Sequence, residues 1–215
     1  MEEYEDVRRA KQSFIQCGIE GLFIANELYI FRHYNSFKYG QDWHILNHTG
    51  LKLWNARDFT KVTFCRGKKV LVIIEDKEQN PLIILSNPLE CTQKIEVYCP
   101  PGGYLGKVKK QFSFLRGIYN IINPLGALLY KLKERGNPFG FNKKYKIVSP
   151  ILGEIGSIEL ERNHVEIDSA HHALRLRFPP HLDFNSKVLL IGGTFLIGAW
   201  QIKPLRTISE DTLCK

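Results

Sequence analysis

The chain has no CxxC pair. Its five cysteines (Cys17, Cys65, Cys91, Cys99 and Cys214) are odd in number and widely spaced, which argues against a zinc ribbon or thioredoxin-type site and for a reduced, cytosolic setting. It has no GxSxG, no P-loop, no GxGxxG, and no Cys–His or carboxylate pair with a reason to be adjacent, so an enzyme is not expected. The opening MEEYEDVRRAKQ is acidic and then basic, without the apolar h-region of a signal peptide. No repeat at a solenoid or propeller period is visible. Residues 101–150 are almost without acid: Glu134 stands alone against ten Lys/Arg.

That last absence carries the charge of the whole chain. Residues 1–100 hold thirteen Lys/Arg against thirteen Asp/Glu, and residues 151–215 hold seven against eight, so the formal net charge of +8 lies in one segment. The bases are Lys107, Lys109, Lys110, Arg116, Lys131, Lys133, Arg135, Lys143, Lys144 and Lys146, interleaved with Phe112, Phe114, Leu115, Tyr119 and Leu128. Such a block predicts an acidic partner, with anionic lipid ahead of nucleic acid. The plain alternative is aromatics turned inward and lysines turned to water. His164, Glu166, Asp168, His171, His172 and His181 fit no standard zinc spacing, so no metal site is assigned to them.

With 44% hydrophobic and 24% charged residues the chain has the balance of a folded globular domain. Short β-type runs recur at 27–34, 42–47, 50–56, 61–65, 68–76, 81–86 and 94–99, with turn signals such as NHTG, KEQNP and PPGG between them. Further runs stand at 143–148, 156–162 and 173–178. This predicts a mainly β fold, an antiparallel sheet, sandwich or barrel. Two helices are expected, a short one at 7–18 and an apolar one at 187–202. Between Lys187 and Lys203 lie fifteen uncharged residues, giving roughly 22 Å of helix against a hydrocarbon core of about 30 Å. Val188, Leu189, Ile191, Gly192, Gly193, Phe195, Leu196, Ile197, Gly198 and Trp200 leave no polar face, so the helix is buried in a core or in lipid. Its shortness favours a plug inside a barrel over a membrane span.

GIEGLFIANELYIFRHYN, HILNHTGLKLWNA, KVLVIIEDKEQNPLIILSNPLEC, IEVYCPPGGYLGKV and the closing RFPPHLD and KVLLIGGTFLIG resemble the phospholipid scramblase family over roughly 18–202. The resemblance implies a tubby-like closed antiparallel barrel of about a dozen strands around a central hydrophobic helix, formed by 18–215 after an extension at 1–17. It further implies ATP-independent movement of phospholipids between leaflets, usually triggered by calcium, by a lipidated protein at the cytosolic face of the plasma membrane.

Three departures qualify those implications. At the family's calcium-binding positions stand Ala170, His172, His181 and Asp183, with Asp168 nearby. Two carboxylates (Asp168 and Asp183) make a weak remnant of a calcium site, so no metal cofactor is assigned. The family's cysteine cluster shrinks to Cys91 and Cys99 as acylation candidates, and a minimal barrel without the family's proline-rich N-terminal arm is expected. The expectation is a scramblase-family protein acting on phospholipids. A non-transporting anionic-lipid-binding or adaptor module is the alternative, and nucleic-acid binding a third.

Overall fold

The structure is a computed structural model that describes residues 18–33, 41–59, 61–63, 67–69, 71–87, 93–100, 103–113, 116–136, 143–161, 173–179 and 181–201. Fourteen strands and two helices are described. Helix α1 is Glu20–Ile24. The strands are β1 Glu27–His33, β2 Gln41–Asn47, β3 Lys52–Asp58, β4 Lys61–Thr63, β5 Gly67–Lys69, β6 Leu71–Glu75, β7 Pro81–Ser86, β8 Lys94–Cys99, β9 Gly103–Gln111, β10 Ile118–Ile122, β11 Leu128–Arg135, β12 Lys144–Ser149, β13 Gly153–Glu161 and β14 Ala173–Arg177. Helix α2 is Phe184–Gln201.

Twelve of these strands form one closed antiparallel barrel in the order β1-β2-β3-β6-β7-β8-β9-β10-β11-β12-β13-β14 and back to β1, and β4 and β5 form a separate hairpin. Closure leaves no barrel edge open to another chain. Alternation supplies the interior: Ile95, Val97 and Cys99 of β8 point in, as do Tyr145 and Ile147 of β12. Gly106 has φ +140 and so little room that a Cβ would collide with the carbonyl oxygen of Ile122. The last glycine of PPGGYLG therefore serves a β8–β9 irregularity that no side chain could occupy.

The barrel is filled by α2. Every side chain from Ser186 to Gly198 is buried, and each leucine- or phenylalanine-sized one contributes about 1.5–3 kcal/mol. Added Cβ atoms on Gly192, Gly193 and Gly198 would lie 2.7, 2.8 and 2.7 Å from Val97, Leu132 and Leu174. The glycines weaken an isolated helix by about 1 kcal/mol each, and here they let it approach three different walls. Lys187 ties the plug in place: its Nζ donates to the carbonyls of Leu22, Phe23 and Ala25 at 3.0, 3.0 and 2.8 Å, at the C-terminal end of α1. It also lies 5.4 Å over the Phe178 ring, and burial pushes its pKa down.

The expected β class, barrel and central helix are observed, with α2 beginning three residues before the expected 187. The expected helix at 7–18 lies outside the described residues apart from Gly18. Three strands went unpredicted: 103–135 contains β9, β10 and β11, where the sequence was read as a basic block interleaved with aromatics and no strand was assigned. Helix α1 also went unpredicted, in the stretch before the first expected β run at 27.

Candidate functional site

The unpredicted strands place the basic block. In β9–β12 the inward positions are taken by Val108, Tyr119, Ile121, Leu132, Glu134, Tyr145 and Ile147, so the alternate residues face outward. On that outer face Lys109 stands opposite Asn120, which stands opposite Lys131. Lys133 stands opposite Lys146, and Arg135 opposite Lys144. Like charges directly opposite on a sheet destabilise it by some tenths of a kcal/mol to about 1, and this face holds two such pairs side by side.

Carboxylates answer part of this charge. Lys144 is 2.6 Å from Glu159, Lys146 pairs with Glu154, and Lys94 is 3.1 Å from Glu96 with Lys107 close enough to act on the same carboxylate. Lys109, Lys131, Lys133 and Arg135 have no carboxylate within ion-pair distance among the described residues. Two strands further round the barrel the bases are better answered: Arg175 and Arg177 of β14 both reach Glu27 of β1, at 2.6 and 3.3 Å. Burial works to raise the pKa of Glu27, but hydrogen bonds from Arg175, Tyr29 and Arg177 outweigh it and hold the group below its ordinary value.

Of the ten bases expected to meet an anion, the fold brings seven onto one surface: Lys107, Lys109, Lys131, Lys133, Arg135, Lys144 and Lys146. Lys110 pairs opposite buried Tyr119, on the inward register at the end of β9. Lys143 is 3.2 Å from buried Glu134, which also accepts the Gly117 N–H at 2.6 Å. Burial, with the Glu134 charge nearby, pushes the Tyr119 hydroxyl up to about 12. Arg116 lies exposed in the β9–β10 connection. Tyr119 is in the core and Phe112 is exposed, while Phe114 and Leu115 lie outside the described residues. The sheet thus separates Tyr119 from the outward bases, whereas Phe112 stays on the outside with them.

The other expectations divide. Val188, Leu189, Ile191, Phe195, Leu196 and Ile197 line the interior with Gly192, Gly193 and Gly198 between them. The side chain of Trp200 lies outside the description. Cys99 is corrected as an acylation candidate: it is 1% exposed on the inward face of β8, where an acyl chain has neither access nor room. Cys91 lies outside the described residues, as do Asp168, Ala170, His164, Glu166, His171 and His172. Asp183 has a structural task, for one carboxylate oxygen accepts the Ser186 N–H at 3.0 Å and caps α2. Among the described residues no cluster of three metal-ligating side chains occurs. Sequence reasoning missed Lys187 as a structural anchor, treating it as the boundary of an uncharged run.

A twelve-stranded antiparallel barrel around an enclosed helix, basic on one outer face, is the class of protein this geometry defines. Among the described residues no helix is long and apolar enough to cross a membrane. No family model matches the chain, and no solved structure matches it significantly. It is 22% identical over 205 residues to human phospholipid scramblase 4, and 26% identical over 155 residues to the mouse protein of that name. Those alignments cover 84% and 65% of this chain, and it spans 62% and 47% of the relatives' length. Together they support a divergent member of the phospholipid scramblase family.

Proposed function

We propose that the protein works at the surface of a phospholipid membrane, holding anionic headgroups on the outer face of β9–β12. The observation that carries this is the pairing of Lys133 with Lys146 and Arg135 with Lys144 on a surface where Lys109, Lys131, Lys133 and Arg135 have no described carboxylate partner. A sheet tolerates such repulsion at a cost in stability, and bound lipid phosphate relieves it. The enclosed helix supports a peripheral attachment, since its apolar surface is already satisfied inside the barrel. Headgroup binding contributes about 1 kcal/mol per base that reaches an anionic leaflet. The cytosolic leaflet of the plasma membrane, rich in such lipid, is the proposed location, with Cys91 the remaining acylation candidate.

Vesicle flotation of the full chain tests this reading. It predicts binding to phosphatidylcholine–phosphatidylserine vesicles that weakens with salt and is stripped by alkaline carbonate. Resistance to carbonate would instead mean that α2 leaves the barrel for the bilayer. The second reading, transbilayer movement of phospholipid, is favoured by the name of both relatives. Flip of a labelled lipid in reconstituted vesicles separates it from binding alone. Calcium control is no part of the proposal, because Asp183 is engaged in capping α2. Nucleic-acid binding is the outcome if salt-sensitive affinity proves indifferent to lipid and follows added RNA or DNA.

A further inference from the structure

Strand direction gives the barrel two unlike ends. One gathers α1, the start of α2 and the short turns β2–β3, β6–β7, β10–β11 and β12–β13. Of the ten large apolar side chains exposed among the described residues, eight are at this end, including Leu125 at 92%, Ile151 at 91% and Leu152 at 76%. Isolated exposed leucines are ordinary, but a set collected on one rim asks for a partner.

The turns do not need these side chains. In the β10–β11 turn Asn123 Oδ1 accepts the Ala127 N–H at 2.8 Å, the Gly126 N–H reaches the Asn123 carbonyl at 3.0 Å, and Gly126 takes φ +87. The β6–β7 turn repeats the device. Asp76 Oδ1 accepts the Asn80 N–H at 2.8 Å, the Gln79 N–H reaches the Asp76 carbonyl at 3.2 Å, and Gln79 takes φ +68. Position for position, Leu125 stands where that turn carries Glu78. The same backbone accepts a charge at the tip, so the leucine answers something outside the fold. In the β12–β13 turn Ser149 Oγ likewise accepts the N–H groups of Ile151 and Leu152, both at 3.3 Å, and leaves their side chains outside.

We propose that this rim enters a phospholipid leaflet, with Leu125, Ile151 and Leu152 in the headgroup–acyl boundary and the lysines of the adjoining strands level with lipid phosphate. The two turns join neighbouring strand pairs, so their tips lie about 10 Å apart, two strand spacings. The same strands bear the basic face: Lys107 is opposite Ile122 at the turn, and Lys131 follows Leu128 by three residues, about 10 Å up the barrel. An interfacial element buries its apolar part roughly 5–10 Å deep, which puts Lys131 level with the phosphates and lets Lys107, at the turn itself, reach up to them with its flexible stem. Separate projecting tips under a cationic collar suit a fluid leaflet. A protein partner would need a broad, closely packed face of about 800 Å².

The proposal rests on the membrane-surface reading above and adds the orientation. The full chain is tested on vesicles of phosphatidylcholine and phosphatidylserine with brominated acyl chains. Leu125→Trp is expected to shift to the blue and be quenched beyond the wild type. Leu125→Glu and Ile151→Glu are each expected to weaken binding about tenfold, with binding less salt-sensitive in the wild type than headgroup contact alone would make it. Melting curves of the glutamate variants should match the wild type; if either unfolds, the Leu125→Trp quenching decides. Vesicle binding with no quenching and no glutamate effect overturns the insertion and leaves the headgroup reading standing. Loss of a protein complex in the glutamate variants, with vesicle binding intact, overturns it in favour of a protein interface. Failure to bind these vesicles at all overturns both.

Discussion

Leu196 and Leu125 are the same side chain in opposite surroundings: Leu196 is fully enclosed in α2, whereas Leu125 is almost wholly exposed at a turn tip. The longest apolar run of the chain is hidden, while the exposed tips of two turns are Leu125, between Pro124 and Gly126, and the pair Ile151–Leu152, between Pro150 and Gly153. Hydropathy along a chain measures how much a segment gains by leaving water. It does not say whether lipid or a protein wall receives the segment. Here twelve strands provide the wall, so the membrane contact proposed above falls to the rim and to the basic face.

The sharpest way to break this comparison is to make one substitution in both places. Leu196→Glu places an unpaired charge in the barrel and should cost about 5 kcal/mol or prevent folding, while Leu125→Glu should shift stability by less than about 0.5 kcal/mol. Thermal unfolding followed by circular dichroism measures both, and equal shifts would mean that α2 is not enclosed. Gly193→Val tests the close approach to Leu132: overpacking should cost about 3 kcal/mol, or roughly 10 °C in melting temperature.

Lys187→Met keeps the bulk of the anchor but leaves three carbonyls without their donor, a loss of about 2 kcal/mol on chemical denaturation. On the outside, Lys131→Gln should leave stability unchanged and weaken binding to anionic vesicles roughly fivefold, as one lost base implies. The smallest effect is at acid pH. The carboxyls of Glu27, Glu96 and Glu159 are held below their ordinary 4.5, each because hydrogen bonds and nearby bases outweigh burial. Such groups stabilise the fold above pH 4.5, and their contribution disappears as pH falls through the lowered values. Glu27→Gln should lower the melting temperature slightly at neutral pH, change it little in acid where Glu27 is already protonated, and so flatten the acid limb in a pH series of melts.

How much was legible depended on local pattern. β8, β12 and β14 alternate cleanly, and each is read from its own residues. The same alternation from Ile95 through Val97 puts Cys99 inside, a signal passed over when the cysteine was weighed as an acyl site. β9 breaks its period with Gly106 and the doubled Lys109–Lys110, and β11 offers just Leu132 and Glu134 as buried positions. Neither announces a strand until its neighbours supply the hydrogen bonds.

The sequence by itself determined the β class, the apolar helix and the place of the positive charge, because each is written in consecutive residues. Tertiary structure alone decided that the helix is a plug, that seven bases share one face and that Lys187 locks α2 to α1. Those outcomes join groups as far apart as Leu22 and Lys187, and no local window contains both partners. The physical reason is closure: once the twelfth strand meets the first, inside and outside are fixed for every residue at once.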